Sequence, residues 1–117
     1  MKDFFGKEFD ALSQMNTLIK KLAVADIPFE VRGFPSSSEY MMGTLQICAP
    51  SFKEYAIDLV CHGGSYGHTE GLLEAMVSDE YAEEHEWGDT VKGWLSTDEA
   101  FELIIDVLTF HQSKAAE

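Results

Sequence analysis

Between Lys7 and Ala25 the apolar residues Phe9, Leu12, Met15, Leu18, Ile19 and Leu22 recur every three or four positions, separated by polar Glu8, Asp10, Gln14 and Lys21. That spacing predicts an amphipathic helix. Asp26 and Pro28 close it, because proline disfavours the helical region for the residue before it. Ile27, Phe29 and Val31 then alternate with Pro28, Glu30 and Arg32, which predicts a half-buried strand. Gly33, Pro35 and Ser36 to Ser38 predict a turn, and extended character resumes from Met41 to Ala49 around Leu45 and Ile47. After a turn at Pro50 and Ser51, Ile57, Leu59 and Cys61 alternate with Asp58, Val60 and His62 in a third strand. Short connections favour an antiparallel meander.

His62 to His68 reads HGGSYGH, and its three glycines predict a sharp turn that ends the third strand. Thr69 can cap a short helix carrying Leu72, Leu73, Met76 and Val77, which gives way to the polar stretch SDEYAEEHE, a helix tail or a loop. Ser96 with Glu99 makes a capping-box pattern, and the helix it opens extends to about Gln112. Apolar Ala100, Phe101, Leu103, Ile104, Ile105, Val107, Leu108 and Phe110 cover most of its circumference. Such a helix is either wedged between the sheet and the first helix or meets a second copy of the chain. The expected fold is α+β: an N-terminal helix, a three-stranded antiparallel β-meander and two C-terminal helices packed on the sheet.

At 117 residues the chain fits a single domain spanning 1–117, and 45% hydrophobic residues suffice for a core. No apolar run long enough to cross a membrane occurs, so the expectation is a cytoplasmic protein with no membrane partner. Cys48 and Cys61 then read as buried thiols in a reducing compartment, with a bridge between facing strands as the alternative.

Charge changes the picture most. The net charge is −13, yet the first 53 residues carry six bases and six acids. From Lys53 to Lys92 there is no intervening base, while Glu54, Asp58, Glu70, Glu74, Asp79, Glu80, Glu83, Glu84, Glu86 and Asp89 all fall between them. Such a field repels phosphates and attracts basic partners, which argues against direct nucleic-acid binding.

Two segments, GSYGHTEGLLEAM from Gly64 to Met76 and DTVKGWLSTDEAF from Asp89 to Phe101, resemble a family of small proteins encoded in Gram-positive bacteria, their prophages and phages. The family pattern pairs a Gly-Ser-Tyr-Gly turn and a leucine-rich stretch with a later glycine, aromatic, leucine, Ser/Thr cap and acidic helix opening. Where that pattern often continues with a second glycine and more leucines, this chain has Val77, Ser78 and the acidic run. The resemblance implies a mobile-element setting and no particular chemistry.

Candidate chemistry is sparse. Gly63, Gly64, Ser65, Tyr66, Gly67, His68 and Thr69 could form an anion-binding turn for a nucleotide or small ligand, but the Lys-Ser/Thr ending of a phosphate loop is missing and acids flank it. The bland alternative is a structural turn whose glycines let Tyr66 fold back onto the core. The letters of Gly63 to Gly67 match GxSxG, in a chain too small for the sheet that motif serves; a nucleophilic Ser65 would need exposure and a histidine within reach. Cys61, His62, His68 and His85 lack metal-ligand spacing, so no metal or cofactor is expected, and neither is an enzyme.

The acidic run supplies the leading candidate. Asp79, Glu80, Glu83, Glu84, Glu86 and Asp89, with Trp87 as the surface aromatic, make an expected partner-binding segment, whereas Trp94, beside Val91 and Leu95, is assigned to the core. The expected partner is a basic protein surface, for instance that of a nucleic-acid-binding host protein. In a phage setting this would be an inhibitor of anti-CRISPR or anti-restriction type that mimics nucleic-acid charge.

Overall fold

The computed structural model describes residues 1–33 and 44–116; the expected turn at Pro35 to Ser38 and the start of the second strand at Met41 lie outside them. Helix α1 spans Ser13–Val24 and buries Met15, Leu18 and Leu22. It starts later than the periodicity suggests because the Asp10 carboxylate accepts from the Leu12 and Ser13 amides, capping the chain there. The preceding residues form a small turn closed by a Lys2–Glu8 bridge, and Phe9 reaches the core from it. At the far end Asp26 is left-handed, with its amide donating to the Ala23 carbonyl and the Ile27 amide to that of Leu22, the Schellman arrangement.

Among the described residues five strands follow in one antiparallel sheet in sequence order: β1 Glu30–Gly33, β2 Leu45–Pro50, β3 Tyr55–Val60, β4 Leu73–Val77 and β5 Val91–Leu95. The three-stranded meander expected from sequence is therefore correct in direction and two strands short. The helix expected at Leu72 to Val77 is strand β4. Leu73, Ala75 and Val77 are buried on one face, and Glu74 and Met76 lie on the other, a two-residue period. Gly67 and Gly71, both left-handed, bracket a single 3-10 turn at His68–Glu70, so the helix has no room to propagate.

Helix α2, Asp79–Glu84, makes the front of the acidic stretch helical, and α3, Thr97–Ala115, closes the chain. The Ser96–Glu99 capping box is formed reciprocally. Helix α3 lies against β2 to β5 on one side and α1 on the other, burying Ala100, Ile104 and Val107, which is the wedged arrangement. The core sits between this helix pair and the sheet face that carries Ile47, Ile57, Leu59, Leu73, Ala75 and Leu95. Cys61 belongs to that face and Cys48 to the opposite one; both are free, buried thiols, and burial raises each to about 11. No helix among the described residues is long and apolar enough to cross a membrane.

Candidate functional site

The acidic run is built on α2 and the turn after it. Ser78 caps the helix, its hydroxyl accepting from the Tyr81 amide and lying 3.1 Å from His111 Nε2 on α3. Tyr81 is buried and donates its phenol to Asp106 of α3 at 2.5 Å; burial first, and then that carboxylate, hold the phenol in its neutral form. The His85 ring stacks on Tyr81 with centroids 3.9 Å apart, its Nε2 3.6 Å from the same Asp106 carboxylate. Three side chains thus strap a six-residue helix to a nineteen-residue one. Helices this short are not stable alone, so tertiary straps and caps fix this one.

The helix ends as α1 does. Glu86 is left-handed, its amide donating to Glu83 and that of Trp87 to Ala82. The turn drives Trp87 inward, where it packs against the core edge-on to Tyr81, with the Lys92 ammonium 5.4 Å from its ring centre. Trp87, expected at the surface, is half-buried: it supplies the apolar contact that often accompanies a Schellman turn.

Asp79, Glu80, Glu83, Glu84, Glu86 and Asp89 are all exposed. Asp79, Glu83, Glu86 and Asp89 line one shallow hollow. A second cleft, absent from the linear reading, collects Asp98, Glu99, Glu102 and Asp106 of α3 around Tyr81 and Lys92. These acids lie apart from the run in sequence, and the Ser78, Tyr81 and His85 contacts bring α2 against the helix that carries them. The regular four-residue spacing of Asp98, Glu102 and Asp106 was the available signal.

The turn from Gly63 to Thr69 is occupied by its own bonds. The Ser65 hydroxyl is buried, donates to the His62 carbonyl and accepts from the His62 amide, so the nucleophile reading of GxSxG is ruled out. The Gly64 amide donates to His62 Nδ1, and the Ser65 and His68 amides to carbonyls within the turn. Tyr66 donates its amide to the Glu74 carboxylate at 2.6 Å. An anion would have to displace these partners and face Glu74, so the turn offers no ready phosphate cradle. His68 anchors the N-terminal turn, its Nε2 3.0 Å from Asp3 and its Nδ1 2.7 Å from the Ser65 carbonyl, while Phe9 packs edge-on to its ring. That partnership holds the Asp3 carboxyl below its ordinary value. Among the described residues no group of three His, Cys, Asp or Glu side chains is placed to hold a metal ion.

Comparison with family models, with curated proteins and with solved structures finds no match for this chain. The site must therefore be read from its own geometry.

Two aromatic residues sit where sequence reasoning did not put them. Trp94 is 57% exposed and Tyr66 56% exposed, so Trp94 is not core and Tyr66 does not fold onto it. The register slips between Leu73 and Ala75, so that Gly93 and Trp94 together oppose Glu74 in a β-bulge. Trp94 takes a left-handed backbone there, with φ +56. Its ring stacks on Tyr66 at 5.4 Å and 19°, and its amide donates to the Tyr66 carbonyl at 3.3 Å. The bulge turns the indole out of the interior that Val91 and Leu95 suggested.

Proposed function

We propose that this chain is an acidic interaction module that engages the basic, nucleic-acid-binding surface of another protein and blocks it, in the manner of an anti-CRISPR or anti-restriction inhibitor. The observation that carries this reading is that the exposed acids of α2 and the following turn stand on a helix strapped to α3, which carries four more acids of its own. Residues three or four positions apart on a helix have Cβ atoms about 5–6 Å apart, so α2 roots its acids at a regular spacing. The bases near it are already engaged, Lys92 over Trp87 and Lys21 with Asp98 at 2.9 Å. The resemblance of Gly64 to Met76 and Asp89 to Phe101 to phage-encoded proteins supplies the biological setting for the proposal.

The test is affinity capture from a host lysate at low and high salt, with Glu80, Glu83, Glu84 and Glu86 replaced by lysine as the control chain. The captured protein should be a nucleic-acid binder, should be lost from the wild type as salt rises, and should lose its nucleic acid to this chain in competition. Equal capture by the reversed chain rejects the reading.

A further inference from the structure

The sheet face opposite the helices is buried at Gln46, Cys48 and Val60 and exposed at its β5 side, where it carries a second surface. The register places Glu30 and Arg32 of β1, Gln46 and Cys48 of β2, Asp58 and Val60 of β3, and Glu74 and Met76 of β4 on that side. Its polar groups form a cross-strand chain, with Arg32 Nε donating to Gln46 at 2.8 Å and Gln46 Nε2 donating to Asp58 at 2.9 Å. Arg32 is also held over the Phe52 ring at 4.5 Å, so this cation is engaged at the β1 side of the face. At the β5 side stand the Tyr66–Trp94 stack, the Glu74 carboxylate it rests beside, and Met76, 45% exposed. Between Lys53 and Lys92 the chain provides no base to complement them.

We propose that the Tyr66–Trp94 pair with Glu74 is a recognition site for a guanidinium side chain of a basic protein partner. This rests on the reading that the partner is basic, and it moves part of the contact from the acidic helix to the β5 side of the sheet.

Charge complementarity selects the occupant. A cation over an aromatic face is drawn to the ring quadrupole, and guanidinium stacks flat on indole while the N–H groups at its edge stay free for a carboxylate. Glu74 spends one oxygen on the Tyr66 amide and keeps acceptor capacity. Asp58 next to it is raised by burial and then by the Glu74 charge, so an arriving cation relieves a repulsion already present. The stack is also set in place before any ligand arrives. Trp94 holds a left-handed backbone that a non-glycine residue rarely adopts, and such strain concentrates where a side chain must be aimed. The register slip that aims Trp94 outward also leaves this edge strand irregular, which disfavours simple strand addition there.

The experiment is an amide and indole NMR titration of the full chain with N-acetylarginine methylamide, with maltohexaose as the rival probe because sugars also stack on exposed indoles. The expected result is saturating shifts at the Trp94 indole and the Tyr66 and Glu74 amides with the arginine probe and none with the sugar. Trp94→Ala and Glu74→Gln should each weaken binding by about five-fold or more while leaving the remaining amide spectrum in place. Shifts confined to Asp79 to Asp89 would overturn this site and leave the acidic-helix reading standing. Shifts with maltohexaose instead, or with neither probe, would also overturn it. Lysine substitutions at Glu80, Glu83, Glu84 and Glu86 that leave the Trp94 response intact separate this site from the acidic helix.

Discussion

Gly93 is the position at which the exposed aromatic pair should be most sensitive. A Cβ built on it would overlap the Cβ of Tyr66 and lie 3.1 Å from the Tyr66 carbonyl oxygen and 3.3 Å from its carbonyl carbon. Two of those three atoms are backbone, and non-bonded carbons prefer about 3.5–4.0 Å, so rotating the Tyr66 ring cannot relieve the overlap. Gly93→Ala therefore has to push the Gly63–Thr69 turn away from β5. Overpacking of this kind costs about 1–3 kcal/mol. Loss of the Tyr66–Trp94 stack adds about 1 kcal/mol and weakening of the Trp94 amide bond up to about 1 more. Because these contributions overlap, a total of about 3 kcal/mol is expected. For a chain of this length that is a fall in melting temperature of about 10 °C.

Urea unfolding followed by far-UV circular dichroism measures the first number, and a thermal melt checks the second. Tyr66→Gly removes the Cβ that the methyl introduced by Gly93→Ala would meet, so the double variant should be more stable than the two single losses summed, by about 1 kcal/mol or more. A Gly93→Ala loss below about 0.5 kcal/mol, or simple additivity in the pair, would refute the placement of Tyr66 over β5.

Two further outcomes follow from local geometry. Glu86→Gly relieves the left-handed strain at the end of α2, less the extra freedom glycine has in the unfolded chain, so it should stabilise by about 0.5–1 kcal/mol in urea; destabilisation would count against the Schellman turn. Burial and Glu74 raise Asp58 above its ordinary 3.8, so its ionised form opposes folding at neutral pH and the penalty disappears as pH falls below that value. Asp58→Asn, which keeps an acceptor for Gln46, should accordingly be more stable than wild type at neutral pH and converge with it below 3.8; a less stable variant at neutral pH would sink the account.

Where one physical signal dominates, the chain is readable from its residues. The period of α1, the Ser96–Glu99 capping box and the alternation in β1 and β3 are each local patterns, and each element is present in the structure. Strand β4 reads as a helix because Leu72, Leu73, Met76 and Val77 satisfy a helical period as well as a strand's, and only the left-handed glycines at 67 and 71 break the tie. Strand β5 is hidden because Lys92, Gly93 and Trp94 show no alternation, a consequence of the bulge they contain. Trp94 leaves its expected place in the core and Trp87 is half-buried rather than fully at the surface, for the same kind of reason. A Schellman turn drives one inward and a bulge turns the other outward, and both depend on left-handed residues, Glu86 and Trp94, whose identities do not announce that conformation.

The base-free segment thus divides into parts with different reach. At physiological salt a charge is felt over about 8 Å, so carboxylates act together only when the fold brings them within that distance. Asp98, Glu99, Glu102 and Asp106 gather in one cleft around Tyr81, and Asp79, Glu83, Glu86 and Asp89 line another hollow, so each cluster presents a local field that can steer a basic surface from outside contact range. Glu74 and Asp58 stand on the sheet face turned away from α3, where the aromatic pair can discriminate a guanidinium only at contact. Steering should therefore govern how fast a partner arrives and how strongly salt slows it, while the Tyr66–Trp94 stack governs how long the partner stays. A partner spanning both surfaces would have its arrival and its release set by different residues, which is why substitutions on one should leave the other's signature intact.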